Sequence, residues 1–275
     1  PIKFLPANSR ASSLIIAEGV LYTTTTDCSG KAGAVWSVDL NGETRHVNSF
    51  TLKAGSATGP GGLAIGTSGT VYATGQGTLY ALSPKDLGMK QSFSAGAAVP
   101  VVFSYKEREM VVAPDANGRL CLLDGKRLAD PLSCTNAVGA VSGGLSSWQD
   151  PDGTRWVLAP VWGPENSGTP AGSVVAFRLE DQSGKPVLTQ AWASRGMNAP
   201  QPPVITSGVV FALAAGDKTH AILYALDAMT GQEIYSTGDQ VGSAANRNGV
   251  TLANGRVYFT TVDSTLYAFG IRLEI

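Results

Sequence analysis

A stretch rich in glycine and proline, residues 160–172, holds the first side chains that could do chemistry. It contains Trp162, Glu165 and Asn166. An aromatic plate beside a carboxylate and an amide suits a sugar or another ring-shaped ligand. A single tryptophan in a loop of this length more commonly packs over the base of the loop. We take these three residues as candidates for a ligand site, and a packing role for Trp162 is the more common alternative.

Two further segments place arginine and asparagine together. Arg195 and Asn198 lie in residues 194–200, and Arg247 stands between two asparagines in residues 246–248. The planar guanidinium fork binds carboxylate or phosphate with two parallel hydrogen bonds. The alternative is structural, because buried backbone carbonyls also need donors and arginine and asparagine supply them. We take Arg195, Asn198 and Arg247 as candidate ligand-binding residues.

The chain has few histidines from which a metal site or a catalytic triad could be built. His46 and His220 are its only histidines, and Asp217 and His220 share one loop, where they can form a local pair or be solvated. The sequence contains no GxSxG elbow, no phosphate-binding loop and no HExxH. It therefore assigns no catalytic residue and no metal site.

The cysteines are Cys28, Cys121 and Cys134, and none of them lies in a CxxC arrangement. A hairpin turn near Arg127 and Leu128 would place Cys121 opposite Cys134 on neighbouring strands. A disulfide there fits an oxidising compartment and leaves Cys28 single. Two buried free thiols are the alternative.

Composition narrows the classes of partner. The 275 residues carry a formal net charge of -1, and only 15% are charged, while 43% are hydrophobic. The charge balance favours neither nucleic acid nor an anionic membrane surface. No apolar run approaches the roughly 18 residues of a membrane span, and the apolar content excludes disorder. Proteins, small molecules and carbohydrates remain as partners, and we expect no transmembrane segment.

The elements that position these residues come from a repeat. A strand-like tetrad of the Tyr-Ala-Leu-Asp kind recurs six times, at a spacing of roughly 40 to 50 residues. Most copies follow a glycine-led β-rich run, such as Gly208 to Phe211, and four short strands fit each repeat. This pattern predicts an all-β protein, a β-propeller of four-stranded antiparallel blades with six repeats. The tetrads begin at Trp36, Tyr80, Cys121, Val175, Tyr224 and Tyr267.

The repeat sets the expected domain organisation, a single propeller domain over residues 1–275. The chain begins at Pro1, and residues 1–9 are expected to supply the outer strand of a preceding or closing blade. Residues 1–5 and 271–275 are both candidates for the one closing strand. Because residues 271–275 can complete the sixth blade, we favour residues 1–5 as part of an upstream blade, which gives a ring of seven or eight blades and makes the chain a processed or internal piece; a self-closed six-bladed ring is the rival. The blades are expected at about 10–50, 51–94, 95–136, 137–193, 194–237 and 238–275.

The repeat resembles that of a known family. Residues 223–227 read Leu-Tyr-Ala-Leu-Asp, residues 230–233 read Thr-Gly-Gln-Glu, and an aromatic residue follows at Tyr235. This is similar to the repeat of pyrroloquinoline-quinone-type propellers, a WD40-like architecture found in quinoprotein dehydrogenases and in many non-enzymatic bacterial exported proteins. The last repeat, at residues 265–270, is similar. The resemblance covers most of the chain and is specific at the level of the repeat.

The resemblance implies a function and its alternatives. The favoured function is a periplasmic or secreted protein-binding module or scaffold that uses its long-loop face, has no enzymatic activity and binds protein or complex subunits. The alternative is a quinone-dependent dehydrogenase, or a degenerate remnant of one, with pyrroloquinoline quinone and calcium. Catalytic members of the family clamp the quinone between a tryptophan and a disulfide of adjacent cysteines, and this sequence has no adjacent pair. We therefore expect no cofactor. A propeller hydrolase acting on glycans is a third candidate, for which two carboxylates would have to converge.

Overall fold

The computed structural model describes residues 4–27, 33–41, 44–52, 62–75, 77–141, 143–162 and 172–270. In these ranges the chain forms six antiparallel sheets. The central strands are rich in β-branched and aromatic residues and are buried on both faces, as in the second sheet, where all five residues of one strand are buried. Burial of both strand faces explains why charged residues are scarce in the sequence.

One compact unit contains the first three sheets and Asp181–Val187. Each sheet has four strands that pair in chain order. The first consists of β1 Ser9–Ala17, β2 Val20–Asp27, β3 Ala34–Asp39 and β4 Val47–Thr51; the second of β5 Leu63–Ile65, β6 Val71–Gly75, β7 Thr78–Leu82 and β8 Met89–Ser94; the third of β9 Val101–Tyr105, β10 Arg108–Pro114, β11 Arg119–Asp124 and β12 Ser133–Ala137.

The other compact unit contains the remaining sheets apart from Asp181–Val187. The fourth consists of β13 Ala140–Val141, β14 Ser146–Gln149, β15 Arg155–Trp162, β16 Ser173–Gln182 and β17 Lys185–Ala193; the fifth of β18 Val204–Thr206, β19 Val209–Ala214, β20 Ile222–Asp227 and β21 Glu233–Ser236; the sixth of β22 Thr251–Ala253, β23 Arg256–Thr260 and β24 Leu266–Gly270. A short 3-10 helix, Gly238–Gln240, lies between the fifth and sixth sheets along the chain.

The all-β class and the six repeats predicted from the sequence are confirmed, with two differences in strand number. The inner strand of the fourth sheet is split, because β13 and β14 both pair with β15. Gly143 lies between them with a φ of +77°, and a Cβ there would lie 2.7 Å from Pro202 Cγ, so the chain bends at this point. The sixth sheet has three strands in the described part of the chain. The predicted end strands at residues 1–5 and 271–275 lie wholly or mostly outside the described residues.

A polar network joins the second and third sheets inside the first unit. The hydroxyl of Tyr72, a residue with 0% exposure, donates to Glu109 Oε1 at 2.7 Å. Glu109 Oε2 accepts from the backbone N–H of Ser68 and from the Thr67 hydroxyl, both at 3.1 Å. Burial and the bond to Glu109 raise the pKa of Tyr72. Burial acts to raise the pKa of Glu109, but the hydrogen bonds from Tyr72, Ser68 and Thr67 outweigh it and lower that pKa. The network therefore holds an ionised carboxylate between two sheets.

Across the ranges that the structure describes, no helix combines the length and apolar character needed to cross a lipid bilayer.

Candidate ligand-binding site

Trp162 stands at the end of β15 and is anchored by both packing and a hydrogen bond. Its indole Nε1 donates to the carbonyl oxygen of Pro200 at 3.1 Å. The side chain packs against a buried apolar cluster that includes Ala199, Leu213 and Phe259. The packing role weighed for this tryptophan is therefore present in the structure. The indole is only partly buried, so the packing does not use its whole surface.

Arg247 covers part of the Trp162 ring. Its guanidinium carbon lies 5.2 Å from the ring centroid. Arg247 Nη2 also forms an ion pair with Asp217 Oδ1. The side chains of Arg247 and Asp217 are 56% and 53% exposed. A guanidinium carries five N–H donors, and an aromatic face attracts it electrostatically. The cation is thus positioned by two partners and remains open to solvent on another side.

Asn198 ties the segment before β18 to the connection between β19 and β20. Its side-chain Nδ2 donates to the Thr219 hydroxyl at 3.2 Å. Its backbone carbonyl oxygen accepts from the backbone N–H of Gly216 at 3.1 Å. Gly216 has a φ of +70°, and a Cβ there would lie 2.4 Å from the Thr219 carbonyl oxygen. The turn therefore requires glycine. We call Trp162, Asn198, Asp217, Thr219 and Arg247 the loop cluster.

The histidine of this connection, His220, does not pair with Asp217. His220 Nε2 lies 3.1 Å from Asp239 Oδ1, although the two atoms are not aligned for a hydrogen bond. Asp217 contacts Arg247 instead. The local Asp217 and His220 pair considered from the sequence is therefore not formed.

Arg195 has partners other than those of the loop cluster. Its guanidinium carbon lies 5.7 Å from the Tyr224 ring centroid, and Nη1 lies 3.3 Å from Glu233 Oε2. Burial raises the pKa of Tyr224, Arg195 opposes that shift and Glu233 adds to it. Arg195 thus lies along the fifth sheet, where its charge is matched by a carboxylate that the sequence did not indicate.

The structure brings together three of the six residues predicted for ligand binding, Trp162, Asn198 and Arg247. Glu165 and Asn166 lie outside the described residues. The cluster also contains Asp217 and Thr219, which were not predicted as ligand-binding residues. The sequence does contain a signal for Asp217. It is an acidic residue on another long connection, and its charge is opposite to that of Arg247. Ligand binding by these residues stays a prediction.

Cys121 and Cys134 form a disulfide across the hairpin of β11 and β12, where the two residues are register partners. Their Cα atoms lie 4.1 Å apart. Cys121 is buried in an apolar cluster with Tyr72, Leu123 and Leu128. Cys28 lies outside the described residues.

The described residues do not fit the quinone and calcium group that the family resemblance suggests. The disulfide links cysteines 13 positions apart, and its Cys121 end is buried in a hairpin rather than facing a cavity. In the ranges that the structure covers, no three His, Cys, Asp or Glu side chains gather as a metal site would require. We therefore derive no chemistry through this group.

No protein-family model matches the chain, and no curated protein matches it in sequence. Solved structures do resemble it. One is a structure of the Dos1 propeller, with a TM-score of 0.58 and 13% identity, covering 97% of this chain and 68% of that one.

Two dehydrogenase structures are also similar. The dihydro-heme d1 dehydrogenase NirN in complex with DHE gives a TM-score of 0.56 at 12% identity, covering 83% of this chain and 47% of that one. The quinohemoprotein alcohol dehydrogenase ADHIIG from Pseudomonas putida HK5 gives 0.54 at 10% identity, covering 90% and 55%. The chain spans about half the length of these two enzymes. At such identities the likeness shows the fold alone, and that fold is a β-propeller similar to those of quinoprotein dehydrogenases.

Proposed function

We propose that this chain is the binding or assembly module of an exported bacterial protein, periplasmic or extracellular, and that it acts through the loop cluster. The observation that carries the proposal is the placement of Arg247. Connections from the fourth, fifth and sixth sheets meet there, and they hold a half-exposed guanidinium between an indole and a carboxylate. The family resemblance supplies the compartment.

The loop cluster has the composition of a recognition surface. Tryptophan and arginine are enriched among the residues that contribute most to protein–protein binding. An arginine that is already oriented loses less conformational entropy when a partner binds. Asn198 and Thr219 supply hydrogen-bonding groups beside it. The chemistry favours a protein surface that offers a carboxylate to Arg247, with a small molecule or a carbohydrate as the other class of ligand.

The test is affinity capture from the exported protein fraction, using the 275-residue protein and Arg247→Ala as baits. Arg178→Ala is a control of the same kind, because Arg178 also contacts an indole and a carboxylate. Its guanidinium carbon lies 5.9 Å from the Trp156 ring centroid, and Nη2 lies 3.2 Å from Glu180 Oε1. We expect one partner set on the wild type and the control, and its loss from Arg247→Ala. A chain that isolates alone, or a partner retained by Arg247→Ala, would overturn the proposal.

A quinone-dependent dehydrogenase is the second candidate, and it rests on the fold likeness to the quinohemoprotein alcohol dehydrogenase. Reconstitution with pyrroloquinoline quinone and calcium, followed by an acceptor-dye assay with alcohols, tests it. Turnover would establish the dehydrogenase. We expect neither turnover nor quinone binding, because the described residues lack the clamp and the carboxylate cluster.

A further inference from the structure

The hairpin of β16 and β17 is longer than its sheet requires. The register of β15 with β16 ends at Arg178, before the end of β16 at Gln182. Ser183 and Gly184 form the turn with φ of +51° and +79°, as a tight two-residue hairpin turn requires. We call Asp181–Val187 the hairpin tip. It belongs to the compact unit of the first three sheets.

Contacts from both strands hold the hairpin tip on the third sheet. Asp181 of β16 accepts a hydrogen bond from the Tyr105 hydroxyl at 3.2 Å and forms an ion pair with Lys106. On the other strand, the backbone carbonyl oxygen of Pro186 accepts from the Ser133 hydroxyl at 2.9 Å. The hairpin tip is thus fixed in place by the third sheet.

A hollow of about 350 Å³ lies between the hairpin tip and the third sheet. One wall is the hairpin tip itself, and the other consists of the start of β10 and the connection from β11 to β12. The whole lining comes from residues 77–141 and 172–270, which the structure describes without a gap. A hollow of this volume is large enough for a small-molecule ligand.

Three cations and two carboxylates line the hollow. Arg108 Nε and Nη2 lie 3.1 and 2.5 Å from Asp124 Oδ2. Arg127 Nε and Nη2 lie 2.8 and 2.6 Å from Asp130 Oδ2. The third cation, Lys185, is exposed, and no carboxylate of the described ranges pairs with it. The lining therefore carries one positive charge in excess.

Both arginines keep donors for a further acceptor. Each directs Nε and Nη2 to a single carboxylate oxygen, and a guanidinium has five N–H donors, so the edge formed by Nη1 and Nη2 can still donate. A carboxylate fits such an edge with two parallel hydrogen bonds. The side chains of Arg108 and Arg127 are 46% and 74% exposed, so a ligand in water can reach them.

Apolar side chains supply the rest of the lining. They are Pro131, Leu132 and Pro186. Pro186 is buried under the hairpin tip, and the backbone N–H of Leu132 donates to the carbonyl oxygen of Leu122 at 2.8 Å. This wall is therefore held in place, and it offers an apolar surface beside the three cations.

We propose that this hollow binds a small organic carboxylate with an apolar body. The carboxylate group meets Lys185 and the open edge of an arginine, and it neutralises the excess charge. The apolar body packs on the two prolines and Leu132. The hollow shares no residue with the loop cluster, so the proposal is independent of the proposed function.

Benzoate is a suitable probe, because it carries one carboxylate on a rigid apolar ring, and benzamide is its neutral counterpart. Each is titrated into the isotopically labelled 275-residue protein while the backbone amide signals are followed by NMR. We expect saturable benzoate shifts at residues 124–132 and 185–187. Benzamide, and acetate without the apolar body, should bind at least about tenfold more weakly.

Three results of this titration would overturn the proposal. They are benzoate shifts that do not saturate, shifts confined to other residues, and benzamide or acetate that binds as tightly as benzoate.

The unpaired lysine is tested by Lys185→Gln. This variant removes the excess positive charge and should weaken benzoate binding about fivefold, the upper end for an exposed charge pair. Lys126→Gln is the matched control, because Lys126 is an exposed lysine on the connection from β11 to β12 that does not line the hollow. Circular dichroism checks that both variants fold. Equal benzoate affinities of the two variants would contradict a site at this hollow.

Charge reversal makes the test independent of a general loss of binding. Lys185→Glu should reverse the preference of the hollow, so that benzylammonium, the cationic counterpart, binds this variant more tightly than benzoate does. A variant that still prefers benzoate would show that the carboxylate does not meet Lys185, and the proposal would fail.

Discussion

The Tyr72–Glu109 network and the loop cluster are built from the same materials, an aromatic side chain next to a charged one, but their exposure differs. Tyr72 is fully buried, and both oxygens of the Glu109 carboxylate accept hydrogen bonds. Arg247 lies on the surface of Trp162, and a single carboxylate oxygen, Asp217 Oδ1, pairs with it.

This difference in exposure suits the Tyr72–Glu109 network to stabilising the fold and the loop cluster to binding a partner. A buried polar group that loses its partner carries the full cost of desolvation, so loss of the bond between Tyr72 and Glu109 should destabilise the contact between the two sheets. An ion pair half exposed to water contributes little to folding because solvent screens it. The loop cluster can therefore exchange its contacts for those of a partner at small cost.

The largest expected effect is on the buried aromatic residue. Tyr72→Ala removes a fully buried ring and should lower the free energy of unfolding by about 4 kcal/mol. Trp162→Ala should cost less than half of that, because the indole is only partly buried. Denaturant unfolding followed by circular dichroism measures both values. Equal losses of unfolding free energy in Tyr72→Ala and Trp162→Ala would contradict the different structural roles of the two regions.

Removal of the partly buried Glu109 carboxylate comes next. Glu109→Ala leaves the Tyr72 hydroxyl and the Ser68 N–H without their acceptor and should lower the free energy of unfolding by about 2 kcal/mol. Glu109→Gln keeps one acceptor oxygen and should cost less. If Glu109→Ala matched the wild type in urea unfolding, the network would have no structural role.

Acid should weaken the same network. The pKa of Glu109 is lower in the folded protein than its ordinary value. Its contribution to stability is therefore fully present above the ordinary glutamate pKa of about 4.3 and is lost as the pH falls through the lowered value. The stability difference between wild type and Glu109→Gln should shrink when urea unfolding is repeated below about pH 4. A difference that stays constant down to pH 2 would contradict this account.

The smallest stability effect is expected in the loop cluster. Arg247→Ala removes an exposed ion pair and a contact with an indole, and it should change the free energy of unfolding by less than about 1 kcal/mol. Thermal unfolding of this variant beside Arg178→Ala measures the change. A loss as large as that of Glu109→Ala would make Arg247 a structural residue.

The sequence predicts the sheets well, because each repeat carries its own local signals. The turn glycine and β-rich run before most tetrads mark one strand, and the tetrad marks the next. The split of β13 and β14 was not predicted, because it depends on a close approach between Gly143 and Pro202, which are distant in the chain.

The candidate site could be predicted only in part. Trp162 and Arg247 stand out as residue types, and the structure brings them together. Arg195 has the same side chain and an equally plausible loop position, yet it pairs with Glu233. Which carboxylate meets which arginine depends on how three connections pack, and single-sequence spacing does not encode that geometry.

The most direct test of the central claim, that the loop cluster binds a partner, is a comparison of dissociation constants. The captured partner is titrated against wild type, Arg247→Ala and Arg178→Ala, with equal folding of all three established beforehand. We predict at least a tenfold weaker constant for Arg247→Ala, about 1.4 kcal/mol, and no change for Arg178→Ala. Equal constants for all three proteins would contradict the account.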